Sequence, residues 1–219
     1  MNTIILDFLS ELNNNNNREW FQANKKTYDA SKQELEAFVD NLIPMIAAFD
    51  PSVKFATGKE CLFRIFRDVR FAKDKSPYKT NMGAWISKGG RKSKGPGYYL
   101  HIQPGESMLA GGVYMPEPDQ LKKIRQEIYY NAEEFKAILG HKDAKKYFNG
   151  LSEWDKQKLP PRDFPKDFQD IDILKNRHFT VAYMLTDKQV ADKDFGKLVA
   201  KVFRLMYPLN VFLERALNG

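Results

Sequence analysis

Apolar positions recur along this 219-residue chain with two periods, and the change of period divides it into three stretches. Near the start, Ile4, Ile5, Phe8, Leu9 and Leu12 follow helical spacing, with Thr3 placed to cap the helix. The run from Asn13 to Asn17 interrupts that helix, because asparagine side chains compete for backbone hydrogen bonds and favour caps and turns. Asn17 is placed to cap the next helix. Phe21, Tyr28, Leu35 and Leu42 then recur by sevens, with Phe38 and Ile46 in the same stripe. Pro44 is expected to kink or restart this helix.

The middle of the chain switches to strand-like segments rich in aromatic and aliphatic residues, at 61–71, 82–88, 98–103 and 108–115. Gly89-Gly90, Gly95-Pro96-Gly97 and Pro104-Gly105 bound or separate them. Connections this short favour antiparallel pairing over crossover units. Helical spacing returns over 119–139, residues 159–170 with three prolines predict an extended loop, and 178–185 predicts one more strand. A closing helix carries Phe195, Leu198, Val199, Val202, Phe203 and Met206 on one face, with a kink expected at Pro208. The pattern predicts an α+β fold: a central, mostly antiparallel sheet flanked by N-terminal and C-terminal helices. No linker separates two cores, so residues 1–219 are expected to form one domain.

Composition narrows the class without naming a reaction. Hydrophobic residues at 42% and charged residues at 29% exclude disordered and collagen-like chains. The single cysteine, Cys61, excludes an intramolecular disulfide and favours a reducing compartment. No leader-like segment and no membrane-length apolar run is visible, so a cytoplasmic location without a membrane partner is expected. Charge is more informative. Residues 54–94 hold twelve Lys and Arg against three acids, or +9, whereas the other 178 residues hold 23 basic and 25 acidic side chains. Such clustering predicts an anionic partner, a small molecule or a phosphate-containing ligand, with nucleic acid as the lesser reading. A solvated basic face is the structural alternative.

The densest part of that stretch runs from Arg64 to Lys79. If 61–71 is a strand, alternation puts Cys61, Phe63, Ile65, Arg67, Val69 and Phe71 on one face and Arg64, Phe66, Asp68 and Arg70 on the other. In the 98–103 strand, Tyr98, Leu100 and Ile102 share a face opposite Tyr99, His101 and Gln103. Coincident apolar faces would gather Arg64, Asp68, Arg70, Tyr99 and His101 on a polar floor. Guanidinium forks match phosphate and carboxylate oxygens, so Arg64, Arg67 and Arg70 are the anion-binding candidates, with Lys75 and Lys79 as added point charges. Asp68, Asp74, Tyr78, Tyr99 and His101 are supporting candidates. Asp68 between arginines is an orienter rather than a base; His101 titrates nearest neutrality. An internal Arg-Asp-Arg network that sets the register of the following loop is the scaffold alternative.

This run, with Arg64, Arg67-Asp68, Arg70-Phe71, Asp74-Lys75 and Tyr78, resembles the signature of the DUF2461 family, bacterial proteins of unknown function and about this length. The segments Asn17-Arg18-Glu19-Trp20-Phe21 and Gly97-Tyr98-Tyr99-Leu100-His101 are similar to it as well, while Asp163 stands where a glycine is expected. The resemblance implies membership and brings no reaction.

Three histidines, His101, His141 and His178, lack metal-type spacing with one another or with Cys61, so no metal site is expected, and no cofactor. No phosphate-binding glycine loop or hydrolase elbow is present. Three functions remain open: an anion-binding module, a small-molecule enzyme in which His101 or Tyr78 moves protons, and a scaffold in which the arginines are structural. The oligomeric state is left open.

Overall fold

The computed structural model describes residues 3–219. The first stripe forms α1 (Ile4–Asn14) and buries Ile5, Leu6, Phe8, Leu9 and Leu12. Thr3 does not cap it. Its backbone is already helical and its side chain makes no cap bond, whereas a capping residue must be extended. Asn17 is extended and accepts a hydrogen bond from the Trp20 N–H, starting α2 (Arg18–Ala23). Helix α3 (Lys25–Ala47) continues unbroken through Pro44 and ends three residues later. After it, the short α4 (Gly58–Cys61) docks on α3 through the Gly58 N–H and the Asp40 carboxylate, 2.6 Å apart.

Four strands form one antiparallel sheet in sequence order: β1 (Met82–Ile86), β2 (Gly97–Ile102), β3 (Met108–Val113) and β4 (Phe179–Met184). Strand β1 ends early because Ser87 turns the chain: its carbonyl accepts from the Gly90 N–H and its hydroxyl donates to the Gly90 carbonyl. Between β3 and β4 come α5 (Pro118–Tyr130), α6 (Ala132–Gly140) and α7 (Ile171–Leu174). The 119–139 segment is thus two helices, divided at Asn131, and 159–170 contains no helix or strand. Beyond β4 lie α8 (Asp187–Ala191) and α9 (Phe195–Asn218), the latter unbroken at Pro208.

Register assigns the two faces of the sheet. Met82, Ala84 and Ile86 line up with Tyr98, Leu100 and Ile102, then with Leu109, Gly111 and Val113, and all point into the core beneath α9. Gly111 permits that approach: a Cβ there would lie 2.7 Å from the Met206 sulfur. The opposite face carries Gly83 and Trp85, Tyr99 and His101, then Met108 and Ala110, then Thr180 and Ala182. No helix of the described residues is long and apolar enough to cross a membrane.

Residues 61–71 are not a strand. Cys61 closes α4, and isolated bridges pair Leu62 with Ala84 and Phe66 with Tyr78. The segment turns back on itself, with the Lys79 N–H on the Ile65 carbonyl and the Arg67 N–H on the Pro77 carbonyl. Side chains displace the ladder at the tip. Asp74 takes the Ser76 N–H and hydroxyl, and Asp68 takes the Arg70 N–H, while Pro77 has no N–H to offer. Phe71, placed by alternation on one apolar face with Cys61 and Ile65, is instead 96% exposed.

The root of this loop is fixed by the helical layer. The Asn16 side-chain amide donates to the Tyr78 carbonyl at 3.0 Å and accepts from the Tyr78 N–H at 3.1 Å, as a strand partner would. The Tyr78 ring, 3% exposed, stacks on Phe21 with centroids 3.9 Å apart. Replacing Asn16 strands two backbone groups, so Asn16→Ala should destabilise by roughly 1–3 kcal/mol. Exposed Asn13→Ala should stay within about 0.5 kcal/mol. Urea denaturation of the two variants distinguishes the outcomes; equal losses would contradict the clip.

Candidate functional site

The face of the sheet opposite α9 is hollow because β3 and β4 present small residues there, Ala110 and Ala182. The hollow is a cavity of about 660 Å³. Its floor is Trp85, Tyr99, His101 and Met108. Phe63, Arg64, Lys79 and Asn81 wall one side, Arg91 and Lys94 a second, and Tyr114, Ser152 and Trp154 a third. Four cationic side chains line it and no Asp or Glu does.

The four cations are not equivalent. Lys94 is held by Glu117 at 2.8 Å, and Arg91 donates from Nη1 to the carbonyls of Lys59 and Glu60. Arg64 and Lys79 form no ion pair among the described residues. Lys79 is half-buried, its Nζ 5.7 Å from the centre of the Phe63 ring. Burial, then the positive charge of Arg64, lowers its pKa from the usual lysine value. Two like charges share one edge without an ion pair; Asp68, which is bound to Arg70, feels the charge of Arg64 without contacting it, so an anion at this edge relieves the repulsion.

On the floor, hydrogen bonds fix one tautomer of His101. Gln103 donates its amide to Glu106 and so turns Oε1 toward His101 Nε2, at 3.2 Å. Nε2 therefore carries the proton. Nδ1 accepts from the Asn81 amide at 2.9 Å and the Tyr99 hydroxyl at 3.0 Å. Gly83 permits this: a Cβ there would stand 3.0 Å from the Tyr99 hydroxyl. Burial lowers the His101 pKa against the opposing pull of Gln103 and Glu106, and burial pushes the Tyr99 phenol up to about 12. Both groups are neutral at pH 7.

The third wall is an aromatic stack. The His178 ring lies 4.4 Å from Trp154 and 5.2 Å from Tyr114, nearly parallel to both. His178 Nδ1 accepts from the Met115 N–H at 2.9 Å, and Met115 holds the left-handed φ of 48° to deliver it. A hydrogen bond from the Ser152 N–H to the Thr180 carbonyl ties the loop that carries Trp154 to β4. Trp154 is 62% exposed at the cavity mouth.

The sequence candidates separate in space. Arg64, Lys79, Tyr99 and His101 meet at the cavity. Arg67, Asp68, Arg70, Asp74 and Lys75 lie on the loop beyond it: Arg67 pairs with Asp74, Arg70 pairs with Asp68, and Lys75 donates to the Val69 carbonyl. Bonds from Ser76, then Arg67, hold the Asp74 carboxyl well below its usual range, and Arg70 lowers that of Asp68. The expected floor of Arg64, Asp68, Arg70, Tyr99 and His101 is therefore not assembled, because 61–71 turns away as a loop. Tyr78 is sealed against Phe21. Cys61 is buried, and burial with Glu60 pushes its thiol up to about 11. No cluster of three metal-ligating side chains occurs among the described residues.

Trp154, Tyr114 and Asn81 escaped the sequence reading. Trp154 sits in a segment without periodicity, and the only signal was a tryptophan in polar surroundings.

A family model described as a conserved hypothetical protein (DUF2461) matches residues 4–212. No curated protein and no solved structure matches the chain.

His101 binds its proton less readily when folded than at the unfolded value of 6.5. Its contribution to stability is thus full above pH 6.5 and is lost as pH falls from there through the folded pKa. His101→Gln should flatten the stability profile as pH falls below 6.5, relative to the parent. An unchanged slope in urea melts would contradict the assignment.

Proposed function

The chain belongs to the DUF2461 family, and from that premise we propose that the cavity on the open face of the sheet binds an anionic ligand that also carries a flat ring. The observation that carries this reading is the acid-free lining with two unpaired cations, Arg64 and Lys79, at one edge. An anion seated there gains charge-assisted hydrogen bonds and removes the repulsion between the two. Across the cavity, exposed Trp154 and Tyr114 offer ring faces backed by His178. Stacking on such faces contributes about 1–3 kcal/mol per ring. A phosphorylated or carboxylated aromatic, such as a mononucleotide, satisfies both walls.

Of the two proton movers that an enzymatic reading requires, His101 faces the cavity and Tyr78 does not. His101 presents Nδ1 as an acceptor already shared by Asn81 and Tyr99. With Nε2 also on Gln103, both ring nitrogens are engaged, an arrangement that suits ordering the cavity floor better than taking a proton from a ligand.

Calorimetric titration with adenosine 5′-monophosphate, ribose 5-phosphate and adenosine separates the two walls. Arg64→Ala and Lys79→Ala should each weaken binding of the phosphorylated probes by about 10- to 100-fold, the magnitude of one hydrogen bond to a charge. Trp154→Ala should weaken adenosine 5′-monophosphate by about tenfold and leave ribose 5-phosphate unchanged. Arg70→Ala, on the distal loop, should change neither. An Arg70 effect as large as that of Arg64, or no binding of any probe, would overturn the proposal.

A further inference from the structure

A second concavity, of about 520 Å³, lies where residues 157–163 pass over α5, and it shares no lining residue with the cavity above. Arg125 of α5 forms its base, and Lys158, Arg162 and Asp163 stand around it. Arg125 is only 8% exposed. Its guanidinium offers five N–H donors, yet one bond is made within the chain, from Nη2 to the Asn176 carbonyl at 3.1 Å. Nε is sealed from solvent without a partner.

No carboxylate of the described residues is within ion-pair distance of Arg125. Asp163, the one acid of the lining, is turned to Lys122 at 3.6 Å, and both are largely exposed. Burial, then the charge of Arg177, lowers the Arg125 pKa from the usual arginine value, with Asp163 opposing from a distance. Buried charges are ordinarily paired, since an uncompensated one forfeits several kcal/mol of hydration. Pro160 and Pro161 in the covering segment have no N–H to attract an anion, so its charge must be met by side chains.

We propose that this concavity is a second anion site, independent of the first, which takes a phosphate group on Arg125 with Lys158 and Arg162 closing around it. Three cations against one acid favour a dianion over a carboxylate, and the guanidinium fork matches two phosphate oxygens.

The test uses inorganic phosphate on the full chain carrying Arg64→Ala and Lys79→Ala, which disables the first site. Calorimetry should still give one phosphate per chain, displaced by acetate only at tenfold or higher excess. Arg125→Gln should weaken phosphate at least tenfold. The exposed pair Lys158→Ala and Arg162→Ala should weaken it at least threefold with an unchanged urea midpoint, which keeps the test valid if Arg125→Gln does not fold. No phosphate binding in the background chain, binding indifferent to the Lys158 and Arg162 changes, or stronger binding of acetate would each overturn the site. None of these results bears on the first cavity.

Discussion

Two hydrogen bonds between the Asn16 side chain and the Tyr78 backbone, with the Tyr78 ring stacked on Phe21, join the N-terminal helices to the loop that carries the basic motif. Residues 65–79 have almost no ladder of their own, so their position depends on that anchor. The anchored root carries Lys79 and, one backbone hydrogen bond away across the loop, the Ile65 that follows Arg64. Both cations are thereby held at the edge of a sheet to which neither belongs. A side-chain amide acting as a strand partner lets the loop project while its root stays bonded to the helical layer.

The other half of the site follows from the sheet being covered on one side only. Helix α9 buries one face, with Gly111 making room for Met206, and small residues on the opposite face leave a hollow in place of a second core. Aromatic side chains close the mouth, and the charged side chains of the lining are all cationic. An apolar floor with a few fixed polar groups is the usual form of a small-molecule site. Here those groups, Asn81, Tyr99 and His101, are locked together with Gln103 outside the lining into one hydrogen-bond pattern before any ligand arrives, which reduces the ordering that binding requires.

The two periods of the hydrophobic pattern predicted the fold class and, in β2, the division of Tyr98, Leu100 and Ile102 from Tyr99 and His101, while the short connections predicted antiparallel pairing. Those features depend on alternation and spacing, which a sequence displays directly. The stretch from Cys61 to Phe71 has the composition of a strand and alternates like one, but Asp68 and Asp74 capture the backbone donors locally and Pro77 removes another. Such competition is invisible to a period. The charge count located the basic stretch and did not sort Arg64 and Lys79 from the distal Arg67, Arg70 and Lys75. Sorting them needed the Asn16 clip, a contact 62 residues apart in sequence. Trp154 reaches the cavity only through the docking of its loop on β4, and Arg125 makes no ion pair because Asp163, the acid of that lining, is paired with Lys122.

The three tryptophans provide the most direct measurement, since Trp85 and Trp154 line the cavity while Trp20 sits in the helical layer beside Phe8. Their indole N–H signals would be followed in a ¹⁵N-labelled chain during titration with adenosine 5′-monophosphate. The account predicts that the Trp85 and Trp154 signals shift together along one saturating curve while Trp20 stays in place. Saturable binding with Trp85 and Trp154 unmoved, or with Trp20 moving alike, would contradict it.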